Sequence, residues 1–353
     1  MGCIQKTIME KRNIIVIGAS MGGFDALRKM FAELPADLDA AIFIVWHMSP
    51  FVRGVLPQTL NKLCGIPAAH AFDGEPIAMN RIYVAPPDHH MILEDGMIRV
   101  THGPKENRFR PAVDPLFRSA AYIYGNRVIG VILSGALDDG TAGLWTVKYL
   151  GGLALVQNPL DAEVASMPES AIRQVKTDYI VPLAETAQLL VRLASEQVGE
   201  KKPAAMKEKE KTKAEIRMVT EVNPVGVDIK KFGQLSPYAC PECHGVLTLI
   251  KEGDITRFRC HTGHAYSSGS LLSSLTERME EDIYGTLRGL DETIMLLNQL
   301  GDHFAEANHA RLAAVYFRQA AHTAERAALI RQAAMLPATF EPIQQENQEQ
   351  LPG

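Results

Sequence analysis

Between residues 13 and 200, short β-branched runs alternate with stretches of helical spacing, and no other feature of the chain narrows its fold so far. Residues 13–18 (NIIVIG) have the character of a buried strand and end in glycine. Residues 24–34 follow with apolar side chains at Leu27, Met30, Phe31 and Leu34, the spacing of one helix face. Residues 41–46 (AIFIVW), 81–85 (RIYVA), 127–133 (RVIGVIL), 152–157 (GLALVQ) and 179–181 read as further strands. Residues 91–100 read as a hairpin turning at Glu94, Asp95 and Gly96, and residues 140–149 as a helix. Strands alternating with helices predict an α/β domain: a doubly wound, mostly parallel sheet with right-handed crossovers.

The chain has 353 residues, enough for about two domains. Its formal net charge of -5 argues against a nucleic-acid binder or a protein drawn to anionic membranes. No run approaches the roughly 18 apolar residues of a membrane span. The opening MGCIQKTIMEKR lacks the apolar stretch of a signal peptide, and Lys6 stands where myristoylation needs Ser or Thr. The expectation is a cytoplasmic protein.

After the first domain (13–198) the composition shifts. Residues 201–217 carry seven basic and three acidic side chains, so 199–235 is predicted to be a charged linker, a solvated spacer. Residues 236–268 read as a small, cysteine-bearing module like a zinc ribbon. Residues 269–337 read as a helical hairpin: Leu272, Leu275, Met279, Ile283, Leu287, Leu290, Ile294 and Leu297 make one apolar stripe. Gly301-Asp302 is the expected break, and an alanine-rich helix then runs from Arg311 until Pro337 stops it. The polar tail 338–353 is expected to fray.

Gly18-Ala19-Ser20-Met21-Gly22 fits G-x-S-x-G between a strand and a helix. That turn presents a serine hydroxyl at the carboxyl edge of the sheet, with the helix N-terminus aimed at the same spot. A dinucleotide loop fits worse, since glycine is wanted where Ser20 stands. His47 directly follows the strand AIFIVW and projects at the same edge. The loop 134–140 (SGALDDG) brings Asp139 there too, while Asp138 reads as a helix N-cap. A serine hydroxyl needs an imidazole to take its proton, and the imidazole needs a carboxylate to hold its tautomer. Ser20, His47 and Asp139 are the candidate nucleophile, base and acid. The Met21 N–H is the natural first oxyanion donor.

IIVIGASMGGFDAL, IVWHMS, IYVAPPDHHM, RFRPAVDPLFRSAA, VILSGALDDGTAGL and VQNPLDAEVASMPESAI together resemble the catalytic domain of the chemotaxis protein-glutamate methylesterases, the CheB family, over residues 13 to about 190. The resemblance implies a triad on Ser20, His47 and Asp139. It also implies an oxyanion hole from the backbone of Met21 and Ala136, hydrolysis of γ-glutamyl methyl esters on chemoreceptor helices, and deamidation of receptor glutamines. It calls for no catalytic cofactor. Met21 stands where the family usually has threonine, and Leu137 where it has glycine, so a positive φ at Leu137 would be strained. Family members often begin with a receiver domain. This chain starts almost at the first catalytic strand, so control by aspartyl phosphorylation in cis is not expected. Asp88, His89, His90, Arg108, Arg110 and Asp114 lie near these loops. They read as ordinary surface charge or, for Arg108 and Arg110, as guides for an acidic receptor helix. The alternatives are a catalytically weak or inactive scaffold that binds receptors or a signalling partner, and a nucleotide-binding regulator using residues 18–23 as a phosphate loop.

Cys240, Cys243, Cys260 and His264 follow C-x2-C…C-x3-H, a spacing that suits tetrahedral zinc with every position filled by protein, hence a structural site. His261 and His244 are alternative fourth ligands, and the resemblance favours His264. The module lacks a basic, aromatic surface, so docking of a protein partner or of the helical hairpin is expected rather than nucleic acid.

Overall fold

The computed structural model describes residues 10–48, 55–199, 205–220 and 227–335. β1 (Glu10–Lys11) leads into β2 (Ile14–Ala19), α1 (Gly23–Ala32), β3 (Ala41–Trp46), α2 (Val55–Leu63) and β4 (Ala68–His70). There follow β5 (Glu75–Pro76), β6 (Arg81–Val84), the hairpin β7 (His90–Glu94) and β8 (Met97–Thr101), then α3 (Val113–Tyr124) and β9 (Val128–Ile132). α4 (Thr141–Tyr149), β10 (Leu153–Gln157), α5 (Ser166–Gln174), β11 (Tyr179–Val181), α6 (Leu183–Ser195) and β12 (Gln197–Val198) complete the first domain.

Seven strands form one parallel sheet in the order β11-β10-β9-β2-β3-β6-β4. Side chains alternate across it. Ile14 and Val16 of β2 enter one core, and Ile15, Ile17 and Ala19 enter the other. Both faces are covered, which is why these strands are continuously apolar instead of alternating. The chain leaves β2 first towards β3 and later returns to β9 on the other side. The carboxyl ends of β9, β2 and β3 therefore flank a topological switch point, where ligand sites of such sheets gather. α3 and α4 approach closely there: a Cβ on Gly143 would lie 2.6 Å from Phe117 Cβ.

Within the expected linker 199–235, the described residues 206–220 are not a solvated spacer. Residues 206–220 form α7 (Met206–Thr220), whose Lys211, Thr212, Glu215, Met218 and Val219 are buried. The charges tolerate burial because they are paired. Lys211 meets Glu208 and Glu252, and Glu215 meets Arg118, Arg257 and Arg259. β13 (Gln234–Ala239), β14 (Val246–Glu252), β15 (Ile255–Cys260) and β16 (Ala265–Ser267) then make an antiparallel sheet in sequence order. Ile255 joins the core of the first domain, so sheet, helix and parallel domain form one compact unit ending at Leu272.

The second unit begins at Ser273. α8 (Ser268–Glu306) and α9 (Ala310–Ala334) pair antiparallel, with Arg331 on Asp291 at 2.9 Å and Phe304 stacked on Tyr316. The expected break at Gly301-Asp302 does not occur. The helix runs on to Glu306, and Gly301 serves packing instead: the Phe317 ring fills the place where its side chain would stand. The predicted stop at Pro337 and the tail 338–353 lie outside the described residues. No helix among the described residues is long and apolar enough to cross a membrane.

Candidate active site and metal centre

β2 ends at Ala19, and Gly22 turns the chain with φ 73° into α1. Ser20, in this turn, is tied down by its own backbone. Its N–H donates to Ser134 O (3.0 Å), and its carbonyl accepts from Trp46 Nε1 (3.1 Å). Gly135 passes so close that a Cβ there would lie 2.9 Å from Ser20 Cβ. The backbone N–H groups of Met21 and Ala136 flank this contact, and neither is used in a hydrogen bond among the described residues. The Met21 carbonyl is fixed by Ser134 Oγ at 2.8 Å.

His47 continues from β3, its N–H on Ala19 O at 3.0 Å, which sets it beside Ser20 at the sheet edge. Its Nε2 lies 2.8 Å from Asp139 Oδ2, both side chains being almost wholly buried. Its Nδ1 is buried too and has no hydrogen-bond partner, so Ser20 Oγ is not bonded to it here. Catalytic hydrogen bonds are often long in free enzymes and tighten around substrate.

Asp139 is the most constrained of the three. Oδ2 accepts from Val113 N–H (2.7 Å), and Oδ1 accepts from Gly140 N–H (2.9 Å), Asp114 N–H (3.3 Å) and Asn107 Nδ2 (2.8 Å). The donors from Val113 and Asp114 are the first N–H groups of α3, whose dipole favours negative charge there. Asp114 is buried, not a surface charge. It accepts from Gly143 N–H and Asn107 Nδ2, and burial together with the neighbouring Asp139 pushes its carboxyl well above the ordinary range.

Residues 15–190 match the family of CheB methylesterases. A putative protein-glutamate methylesterase/protein-glutamine glutaminase of Leptospira interrogans is 42% identical over 180 residues, 51% of this chain and 93% of that protein. The chain belongs to the CheB methylesterase family. Proteins with the methylesterase/glutaminase name from Methanosarcina acetivorans (35% identical) and Yersinia pestis (37%) share 52% and 54% of this chain, which spans only 53% and 56% of their own length. The crystal structure of the Thermotoga maritima CheB methylesterase catalytic domain has a TM-score of 0.50 and 34% identity, over 51% of this chain and 98% of that one.

Other residues of this CheB-family chain bear on the sequence reading, and some differ from it. Leu137 does adopt φ 63°, the left-handed conformation expected to strain it. Asp138 is no N-cap. Gly140 holds that position, and the Asp138 carboxylate instead accepts from Ser267 Oγ at 2.7 Å. His90 is fully buried, not superficial, with Nε2 donating to Pro104 O and Nδ1 accepting from Ala112 N–H. Arg110 pairs with Asp88 (2.8 Å) and donates to Gly103 O. Arg108 stands on the same loop, half-buried, with φ 77°. Two residues of that loop escaped sequence reasoning: Asn107, which bonds Asp139, and Phe109, whose ring stacks on His47. Asn107 falls just outside the RFRPAVDPLFRSAA stretch, and Phe109 lies within it beside the two arginines, with no chemistry of its own to mark its role.

Cys240, Cys243, Cys260 and His264 converge, their ligand atoms all within 4.8 Å of one another. Neighbouring pairs stand at 3.6 Å (Cys243 Sγ to Cys260 Sγ), 3.7 Å (Cys240 Sγ to His264 Nδ1) and 3.6 Å (Cys260 Sγ to His264 Nδ1). Two thiolates bonded to one tetrahedral zinc at about 2.3 Å lie about 3.8 Å apart, so the spacing fits such an ion. Three sulfurs and one imidazole can hold a metal, and His261 and His244 are not part of the cluster.

Proposed function

We propose that this chain is a serine esterase that hydrolyses the γ-methyl esters of glutamate side chains on chemoreceptor-like helices, and deamidates glutamine side chains by the same route. The observation that carries the reading is His47, oriented through Nε2 by Asp139, with its other nitrogen buried and unbonded and its backbone N–H on the carbonyl of Ala19, the residue before Ser20. The proposed steps follow from it. Ser20 Oγ attacks the ester carbonyl carbon while Nδ1 takes the hydroxyl proton. The oxyanion forms near the Met21 and Ala136 N–H groups. The intermediate collapses, the C–O bond to the methoxy group breaks, and Nδ1 returns the proton to make methanol. Water, deprotonated by the same nitrogen, then releases glutamate from the acyl-serine. With a glutamine substrate ammonia leaves instead. Arg108 and Arg110, on the loop beside His47, suit an acidic receptor helix.

Methanol release from methylated receptor membranes tests this. Ser20→Ala is expected to lower the rate on the order of 10^4-fold or more. Equal release by both proteins would defeat the reading.

The four-residue cluster is read as a structural zinc site, because its ligands leave no open position for substrate. Atomic absorption is expected to find one zinc per chain, and Cys260→Ser is expected to abolish it. A purified, folded chain without metal would contradict this assignment.

A further inference from the structure

We propose that Asn107 is a positioning residue through which the antiparallel sheet of residues 234–267 holds Asp139, and so His47, in the geometry that hydrolysis needs. This rests on the serine-esterase reading above.

Asn107 is 3% exposed, and its amide uses its full capacity. Nδ2 donates one hydrogen to Asp139 Oδ1 and the other to Asp114 Oδ2, both at 2.8 Å. Oδ1 accepts from Ser267 N–H at 2.9 Å and Ser270 Oγ at 3.2 Å. The orientation of the amide is determined by the Ser267 N–H, which can only donate, so Oδ1 faces it and Nδ2 faces the two carboxyl groups. One side chain thus joins the acid of the triad to residues some 130 positions or more further along the chain. Without its N–H groups, two buried carboxylates would face each other with nothing between them, and Asp139 would lose a donor that orients it.

The backbone supports the same conclusion. Asn107 and Arg108 are consecutive non-glycine residues at φ 50° and 77°. Such conformations persist only where surroundings over-determine them. Here β16 does so: Asn107 N–H donates to Ala265 O at 2.8 Å, and Ala265 N–H to Lys105 O at 3.3 Å. One residue before, Glu106 is locked by Arg259 at 2.5 Å and Arg118 at 3.1 Å. Two residues after, Phe109 lies on the His47 ring. The sheet therefore shapes the loop, and the loop touches two of the three triad groups. A parallel domain lacking that sheet would have to hold this loop by other means.

The experiment uses the full chain and methanol release from methylated receptor membranes. Asn107→Ala is expected to lower kcat ten- to a hundredfold with KM unchanged within about twofold. In ¹H NMR, the downfield ring proton shared by His47 and Asp139, assigned by its loss in His47→Gln, is expected to shift or broaden. Ser270→Ala removes one bond to the Asn107 carbonyl and leaves the amide in place, so kcat should fall by a smaller factor, about two- to fivefold. If Asn107→Ala fails to fold, Ser270→Ala decides alone, and a wild-type kcat there overturns the proposal. Asn107→Ala with wild-type kcat, or with a lower Tm and an unmoved His47 proton, also overturns it. Full methanol release by Ser20→Ala would instead defeat the esterase reading and take this proposal with it.

Discussion

The Phe109 ring lies flat on the imidazole of His47, ring centres 3.7 Å apart and planes 11° apart. Asp139 fixes where one ring nitrogen points, and the stack fixes the plane in which the ring lies. Together they leave His47 little freedom except to present Nδ1. Aromatic contacts of this kind are worth about 0.5–1.5 kcal/mol beyond their area. Phe109→Ala is expected to lower kcat about three- to tenfold while the chain stays folded by circular dichroism. Phe109→Tyr, which keeps the ring, should restore most of the loss. An unchanged kcat in Phe109→Ala would show that the stack orients nothing.

Asp139 accepts from His47 and from four other donors, so its replacement has two consequences. Asn at 139 offers one oxygen and turns an NH2 towards donors that it cannot satisfy. If that NH2 faces His47, it forces the wrong tautomer on the imidazole. Asp139→Asn is expected to cut kcat on the order of 10^4-fold. It should also cost about 1–3 kcal/mol of stability in urea titrations, from unpaired buried donors at the start of α3. Loss of activity without loss of stability would mean that the α3 contacts matter less than their geometry implies.

The parallel domain and the G-x-S-x-G turn were legible in the sequence because strand and helix leave strong local periodicities, and because the chemistry of Ser20, His47 and Asp139 sits at the ends of recognisable strands. The cysteine spacing was legible for the same reason. The fate of α7 was not. A run rich in lysine and glutamate is ordinarily solvated, and the opposite charges that bury this one lie far away: Glu252, Arg257 and Arg259 in the later sheet and Arg118 in α3. A local signal did exist. Lys211, Thr212, Glu215, Met218 and Val219 repeat every three or four residues, and Arg257 and Arg259 share one face of β15. Read as charge that repeats with the period of a buried face, the pattern points to an internal ion network. Asn107 and Phe109 carried no such signal, since a loop residue acquires its partners only when the fold is complete.

That network supplies the next prediction. Arg257 Nη2 lies 2.9 Å from both oxygens of Glu215, with Arg259 at 3.2 Å and Arg118 at 3.5 Å. Removing the carboxylate leaves buried guanidiniums short of a counter-charge. Glu215→Gln is expected to destabilise the first unit by about 3–5 kcal/mol in urea unfolding. Because the pairs are dry, that loss should be nearly the same at low and at high salt, whereas the half-exposed Arg331–Asp291 pair should contribute little and be screened. A strong salt dependence of the Glu215→Gln effect would place the network in contact with solvent.

His90 gives the pH dependence a sign. Its imidazole is fully buried in neutral form, donating to Pro104 O and accepting from Ala112 N–H. Burial pushes its pKa down to about 4, against 6.5 ordinarily. A proton added below pH 6.5 therefore binds the unfolded chain first. The stability His90 contributes is present above about pH 6.5 and is lost as pH falls towards 4, by about 3 kcal/mol in all. Other groups add their own pH dependence below about 4.5: burial opposes ionisation of Glu106, but Arg118 and Arg259 outweigh it and hold the carboxyl at about 2. The test is accordingly a difference. His90→Gln, which can donate and accept but cannot take a proton, is expected to be less stable than wild type at pH 7.5 because its amide fits the two partners less well than the ring. The gap should shrink, and can reverse, by pH 4. A gap that stays constant from pH 7.5 to 4 would show that His90 takes its proton as easily in the folded chain as in the unfolded one.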